Sequence, residues 1–378
     1  MKDIDVLIVG AGPTGMTAAL ALTLQGRQVT IIDKHPDRLA FSRALLINPH
    51  ILTLLAPLGV TPHILERGSM IQGFRLHGPD GLLLAGKPEF QEIYPEFPPI
   101  KLTQRDTEQC LEDELARHGV RIDRPAELID LTQEGTLVIA TIQRPYADET
   151  ISVAPHIEQI RCQYLIGADG FHSKTRTLLG IEFPTQHLSQ KMLGLDVTMD
   201  WPHPDEDVAA WILDDGFILA IRLNDCVRLV MTPASLINHP PRDLPPIQQI
   251  IQQSLFTISF AHVTHYGRDR VWLAGDAAHV HSPVGGRGMN LGIADGIGLA
   301  DAIQTGDFAN YEARRLAIAC AWIRQNRLMT EAVTLGGPLG KVQRQMLRGT
   351  IRLGKHVVNR TLAKHLLHAM MGTPKDFV

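Results

Sequence analysis

Six residues near the start of the chain, Gly10-Ala11-Gly12-Pro13-Thr14-Gly15, constrain the fold more than any other feature. They follow a continuous apolar run, Val6-Leu7-Ile8-Val9, of the kind that forms a central parallel strand buried on both faces. An Ala- and Leu-rich stretch from Pro13 to Gln25 reads as a helix stopped by Gly26, and Gln28 to Asp33 reads as a second apolar strand. Together they make a βαβ unit. In such a unit Gly10 permits the tight turn out of the strand, and Gly12 lets a pyrophosphate approach the helix N-terminus. Gly15 lets the helix lie close on the sheet. Asp33, at the end of the second strand, is placed to accept hydrogen bonds from an adenosine ribose, with Lys34 beside it.

The chain does not stay in this texture. Between about Gly73 and Leu102, short strand-like runs alternate with Pro and Gly turns. Helical periodicity returns over Thr107–His118, and a strand is expected at Gln163–Gly167. From Gln190 to Met231 the pattern is β again. A Pro-rich joint (Pro240, Pro241, Pro245, Pro246) then precedes an expected short helix and a strand at Val271–Ala274, and everything from Asp307 onward reads as helical. The expected fold is α/β: a Rossmann-type domain from residues 1–70, 101–183 and 266–310, which the chain leaves twice. Both excursions, 71–100 and 184–265, are expected to build one β-sheet domain for substrate, and 311–378 a helical segment. At 378 residues, two packed domains are the natural expectation.

Two further motifs share the strand–turn–helix form. Tyr164-Leu-Ile-Gly167-Ala-Asp169-Gly170 runs into a helix start carrying Ser173 and Arg176. Arg270-Val-Trp-Leu-Ala-Gly275-Asp276 ends a strand on a carboxylate able to bind a hydroxyl-rich ribityl chain. After His279, His281 and Pro283, the loop Val284–Arg287 feeds a helix beginning near Gly288-Met289-Asn290. The free N–H groups of that helix end favour an anionic ring or a phosphate. His279 and His281 have no third ligand at metal spacing, so no metal site is expected.

These motifs, in this order, resemble the single-component FAD-dependent aromatic hydroxylases of the para-hydroxybenzoate hydroxylase and phenol hydroxylase type, from Asp3 to about Arg315. The resemblance implies non-covalent FAD, NAD(P)H as a transient co-substrate, and O₂. It also implies hydroxylation of an aromatic or similarly electron-rich molecule through a C4a-hydroperoxyflavin. By the same resemblance, Arg43 lies beside the flavin, Arg105 on the FAD backbone, Asp33 on the ribose and Asp276 on the ribityl chain. Gly286, Gly288, Met289 and Asn290 cradle the ring, Pro283 faces its reactive side, and Asp169 belongs to a turn linked to both FAD and NAD(P)H. The chain departs from the family pattern at Arg287, where Gln is common, and at Asp295-Gly-Ile-Gly298-Leu. Gly288, Gly292 and Gly296, four apart, form a bare helix stripe suited to close packing.

Substrate is expected between the flavin and the second sheet. In Phe217–Leu223, alternation puts Phe217, Leu219, Ile221 and Leu223 on one face and Ile218, Ala220 and Arg222 on the other. Arg222 is either a partner for a substrate carboxylate or phenolate, or a solvated edge arginine. Trp211 is either a substrate contact or core. A halogenase shares this fold, but its Trp-x-Trp-x-Ile-Pro element is absent. An FAD-linked reductase or oxidase, and a non-enzymatic FAD-fold escort protein, remain as rivals.

Net charge is −4, which gives the molecule no reason to seek nucleic acid. The four cysteines are far apart, and no run approaches the roughly 18 apolar residues of a membrane span. A cytoplasmic protein, monomer or homodimer, is the expectation. Residues 341–378 concentrate eight Lys/Arg against one Asp. On a helical wheel Lys341, Arg344, Arg348, Arg352 and Lys355 share one stripe. The helix is read as packed on its own protein with that basic face solvated, or as a weak peripheral contact with anionic lipid over 341–364.

Overall fold

In the computed structural model, which describes residues 2–38, 44–87, 90–144, 156–233, 241, 243–354 and 377, three sheets and a set of helices carry the chain. The first sheet is the expected Rossmann core. Strand Lys2–Val9 lies between Val29–Ile32 and His156–Gly167, parallel to both, with Val6 opposite Val29 and Tyr164. Val271–Leu273 extends it on one side and Ile122–Asp123 on the other, again parallel. Val6, Leu7 and Ile8 are fully buried, as a central strand covered on both faces requires.

One edge of this sheet is richer than the sequence reading expected. The strand read as Gln163–Gly167 begins at His156. Its first half pairs antiparallel with Leu137–Arg144, which pairs with Glu127–Glu134. That hairpin buries only one face (Leu128, Val138, Ala140 and Ile142), so its polar residues hid it from a search for apolar runs.

The second sheet is assembled from both excursions. In spatial order its strands are His279–Val280, Gln249–His262, Gln186–Thr198, Val227–Met231, Phe217–Arg222, Val208–Ile212, Phe74–Gly78 and Gly81–Gly86. The excursions meet where Val208–Ile212 runs parallel to Phe74–Gly78. The short helix expected after the Pro-rich joint is instead the strand Gln249–His262, paired antiparallel with Gln186–Thr198. Phe256, Ile258 and Phe260 are buried while Thr257 is exposed, so the period is two rather than 3.6. A three-stranded sheet (Leu46–Ile47, Ile100–Lys101, Ser69–Met70) lies at the root of the first excursion.

Three helices follow the third motif: the loop helix Gly288–Thr305, the long helix Phe308–Thr334 and the basic helix Gly337–Gly354. The loop helix lies against the first helix, Pro13–Leu24, along the glycine stripe. A Cβ on Gly296 would stand 2.6 Å from the Thr14 carbonyl oxygen and 3.1 Å from Ala18 N.

The basic helix corrects its expectation. Arg344 and Arg348 of its cationic stripe face inward, while Lys341 stays half-exposed. Arg344, 1% exposed, donates to the carbonyls of Leu213 (2.9 Å), Asp214 (2.6 Å) and Leu335 (2.6 Å). Arg348 donates to Ile212 O and to Asp214 Oδ1, and Lys341 pairs with Asp214 Oδ2. These arginines satisfy the end of a strand and a helix C-terminus, which burial demands of such carbonyls. Of its large apolar side chains, Leu339, Val342 and Met346 are exposed. The Arg352 side chain and residues 355–364 of the supposed lipid-binding stretch lie outside the described residues. Among the described residues no helix is long and apolar enough to cross a membrane.

Gly296→Ala tests the helix contact. Helix propensity alone would favour Ala by about 1 kcal/mol, but a collision with backbone costs about 1–3 kcal/mol and cannot be relieved by a rotamer change. A net loss of roughly 1 kcal/mol or more is expected in denaturant unfolding of the apoprotein. Unchanged or increased stability would show that the two helices can part without cost.

Candidate active site

The three motifs converge on one place because glycine lets their backbones touch. Gly10 has φ +104°, and a Cβ there would overlap the carbonyl of Ala168 in the second motif. A Cβ on Gly15 would collide with Gly10 O, while one on Gly275 or Gly292 would collide with the Thr14 side chain. The strands are tied as well: Ala168 N donates to Val9 O at 2.8 Å and Ala274 N to Gly167 O at 3.0 Å. Gly12 differs. A Cβ there meets no protein atom, so this face of the turn is open to a ligand.

That open face belongs to a cavity of about 310 Å³, lined by Gly10, Gly12, Asp33, Lys34, Arg38 and Asp169 among others. Asp33 Oδ2 accepts from Ala11 N at 2.7 Å and Oδ1 from His35 N at 2.8 Å, so the acid fixes the glycine turn as well as facing the cavity. Asp169 caps the helix start Lys174–Leu178, accepting from Ser173 Oγ (2.5 Å) and Thr175 N (2.9 Å). Arg105 contacts Asp37 and the Arg38 carbonyl, both at the cavity. Sequence reasoning missed Arg38 and Arg124, which line the cavity and share Glu112. No local motif marks either arginine; only the fold brings them together.

The loop of the third motif lies at the same, N-terminal end of the first helix: Gly292 of the loop helix meets Thr14, whereas Asp301 and Gln304 reach Gln25 and Arg27. Gly286 N donates to Pro283 O at 3.0 Å, and Gly285 takes φ +92° at the third position of that turn, where glycine is favoured. Asn290 is buried. Its Oδ1 accepts from Asn48 N (2.8 Å), while Nδ2 donates to Leu46 O and Gly286 O (both 2.9 Å). The loop is thus stapled to the segment that follows Arg43, which itself lies outside the described residues. Gly288 and Met289 open the loop helix, and Asp276 is exposed beside Gly275.

The two histidines are structural partners. Asp295, fully buried, accepts from Gly275 N (2.8 Å) and pairs with His279 Nε2 (2.6 Å) and with Arg315. Burial pushes its carboxyl up, but Arg315 and His279 outweigh that and hold it below the ordinary range. This cluster fixes the turn carrying Asp276, and sequence reading had noted Asp295 only as a departure from the family pattern. His281 Nε2 accepts from Trp322 Nε1 at 3.1 Å, and its Nδ1 faces Ser282 O at 2.9 Å. Burial depresses its pKa to about 4. Among the described residues no group of three or more His, Cys, Asp or Glu is arranged to hold a metal.

The second sheet separates the four residues expected at substrate. Phe217 and Leu219 join an apolar cluster with Met192, Phe256 and Val284 of the flavin-side loop. Trp211 belongs to the cluster on the opposite face with Ile218 and Leu229, stacked on His77 at 5.1 Å; it is core. Arg222 is partly exposed, and its guanidinium is taken up by protein partners. Its guanidinium donates to Asp207 Oδ1 (2.8 Å) and Pro204 O (2.6 Å), and Asp207 also pairs with Lys101.

The residues fit FAD: an open glycine turn at a helix N-terminus, a carboxylate at the next strand end, a cationic cavity rim and a second helix N-terminus beside the first. Comparison with known proteins agrees. The family model described as FAD binding domain matches residues 3–224 and 241–323. Rifampicin monooxygenase of Streptomyces venezuelae is 29% identical over 78% of this chain and 63% of its own length. The 6-methylpretetramide 4-monooxygenase of Streptomyces rimosus is 30% identical over 78% and 55%. The chain therefore spans about three-fifths of the length of these curated relatives. Among solved structures, p-nitrophenol 4-monooxygenase of Pseudomonas putida superposes with a TM-score of 0.82 at 19% identity, covering 98% of this chain and 99% of the other.

Two outcomes test this site. Asp33→Ala should weaken FAD binding by roughly 10- to 100-fold, the worth of a charge-assisted hydrogen bond, with the protein still folded. FAD titration of the apoprotein measures it, and unchanged affinity removes Asp33 from the site. For His281, the folded pKa of about 4 lies below the ordinary 6.5, so the unfolded chain binds the extra proton. Stability is then full above pH 6.5 and falls as pH drops toward 4, by about 1–3 kcal/mol. His281→Gln should flatten that limb in denaturant unfolding at pH 7.5 and 5; an unaltered slope would refute the assignment. With its three glycine-bearing motifs assembled at one place, and with the family model matched over most of its length, the chain belongs to the FAD-binding-domain family.

Proposed function

We propose that the chain is an FAD-dependent monooxygenase that uses NAD(P)H and O₂ to hydroxylate an aromatic or similarly electron-rich small molecule. The observation that carries this reading is the seating of the third-motif loop. Val284, next to Pro283, packs into the same apolar cluster as Phe217 and Leu219 of the second sheet. A ring held by the Gly286–Asn290 loop would thus meet a dry, apolar floor rather than water. FAD, once reduced by a nicotinamide and exposed to O₂, supplies the oxygen-transfer chemistry.

The chain's own residues supply the rest. Gly12 and the first helix N-terminus receive the pyrophosphate, and Asp33 the ribose. Asp276, fixed through Gly275 and Asp295, receives the ribityl chain. The N–H groups at Gly288 and Met289, at a helix N-terminus, favour negative charge on the ring. The apolar cluster excludes water, which would otherwise divert reducing power to peroxide. The similar proteins named for oxygenation of rifampicin, 6-methylpretetramide and anhydrotetracycline support this substrate class.

The test is oxygen incorporation. FAD-loaded protein with NADH or NADPH under ¹⁸O₂ should be offered simple phenols, p-nitrophenol, rifampicin and anhydrotetracycline. NAD(P)H consumption should accelerate with at least one of them, and its product should gain one ¹⁸O atom by mass spectrometry. Oxidised product with no ¹⁸O, and stoichiometric peroxide, would make the protein an oxidase.

A further inference from the structure

The long helix Phe308–Thr334 runs past the end of the family match at residue 323, and just beyond that point it buries one amide completely, Asn326. Asn326 Oδ1 accepts from Ser282 N at 3.0 Å, and its Nδ2 donates to Val284 O. These two backbone groups bracket Pro283. One helical turn earlier, on the same helix face, Trp322 donates to His281 Nε2 at 3.1 Å. The Arg287 guanidinium lies 3.6 Å from the Trp322 ring centroid, and a Cβ on Gly285 would sit 3.4 Å from that ring. Two side chains of one helix thus hold the loop at His281, Ser282, Val284, Gly285 and Arg287.

We propose that Asn326, with Trp322 beside it, is the positioning residue for the flavin-side loop. The chemistry of the amide supports this. One face of the group accepts and the other donates, so a single uncharged side chain satisfies both an N–H and a C=O at this depth. The support is a helix, whose side chains are set more rigidly than those of a loop. The loop it supports carries Pro283 and leads to the N–H groups of Gly288 and Met289, assigned above to the isoalloxazine side. Asn326 touches no part of the nucleotide cavity. Its effect belongs to the ring end of the cofactor alone. The inference rests on FAD binding and on the loop's assignment to the ring. It does not depend on oxygen insertion, so failure of the ¹⁸O experiment leaves it standing.

The experiment uses FAD-loaded protein and reads the ring and the nucleotide separately. Asn326→Ala is compared with wild type by the visible flavin spectrum, by iodide quenching of flavin fluorescence, and by displacement of FAD with AMP. The expected result is AMP affinity within about twofold of wild type, with a quenching constant raised roughly threefold or more and a blurred flavin spectrum. If Asn326→Ala does not fold, Trp322→Phe replaces it. That variant keeps a ring under Arg287 and loses only the indole N–H, so the same changes are expected at smaller size. A holoprotein of either variant with wild-type spectrum and quenching overturns the proposal, whatever its Tm, since a purely structural clamp would lower Tm alone. Equal loss of AMP and ring contacts would also overturn it. A wild-type protein that takes up no FAD would overturn both this inference and the cofactor assignment.

Discussion

The whole arrangement depends on backbones that pass closer together than any side chain allows. Gly10 against Ala168, Gly15 against Gly10, and Gly275 and Gly292 against Thr14 form one continuous contact through all three motifs. Replacing Gly10, Gly275 or Gly292 pushes apart segments separated by more than a hundred residues in the chain, and replacing Gly15 breaks the turn itself. The glycines do not bind the cofactor merely by being small near phosphate. Most of them are spent on bringing protein to protein, while Gly12 and Gly170 open outward. Thr14 sits at the centre, touching the turn before Asp276 and the loop helix at once, which couples the first motif to the third.

A second tier of order comes from buried charge. Asp295 with His279 and Arg315, Asp207 with Lys101, and Arg344 on backbone carbonyls are all removed from solvent. Such groups are costly to bury and tolerable only when every partner is in place. Each marks a joint: the ribityl turn to the long helix, the first excursion to the second, and the basic helix to the strand end at Ile212–Asp214. Charge is used here for register rather than for attraction.

The sequence alone revealed the Rossmann core and the strand–turn–helix form of the third motif, because each rests on residues adjacent in the chain. Apolar runs flanked by glycine announce buried strands, and the glycine stripe at 288, 292 and 296 announces a close helix contact. What escaped was either half-buried or assembled at a distance. The hairpin 127–144 and the strand Gln249–His262 alternate apolar with polar residues, and the Pro-rich joint drew the second towards a helical reading. Trp211 and Arg222 looked available for substrate because neither stacking on His77 nor pairing with Asp207 leaves a local trace. Charge on the basic helix was assigned to solvent by habit. The unsatisfied carbonyls that recruit Arg344 and Arg348 belong to a distant turn.

The parallel pairing of Phe74–Gly78 with Val208–Ile212 bears on how the chain is made. The hairpin that includes Phe74–Gly86 leaves the ribosome with one edge unpaired, and its partner strand emerges only after roughly 130 further residues, about 7–26 seconds of synthesis. Through that interval the Phe74–Gly78 edge has no native strand to meet, and its side chains have only the other hairpin strand to pack on. The three-stranded sheet at the root of the excursion closes much earlier, when Ile100–Lys101 appears. It holds the hairpin's base while its edge waits. Nascent-chain quality control would therefore meet this protein at its most vulnerable in mid-synthesis, well before the cofactor site exists.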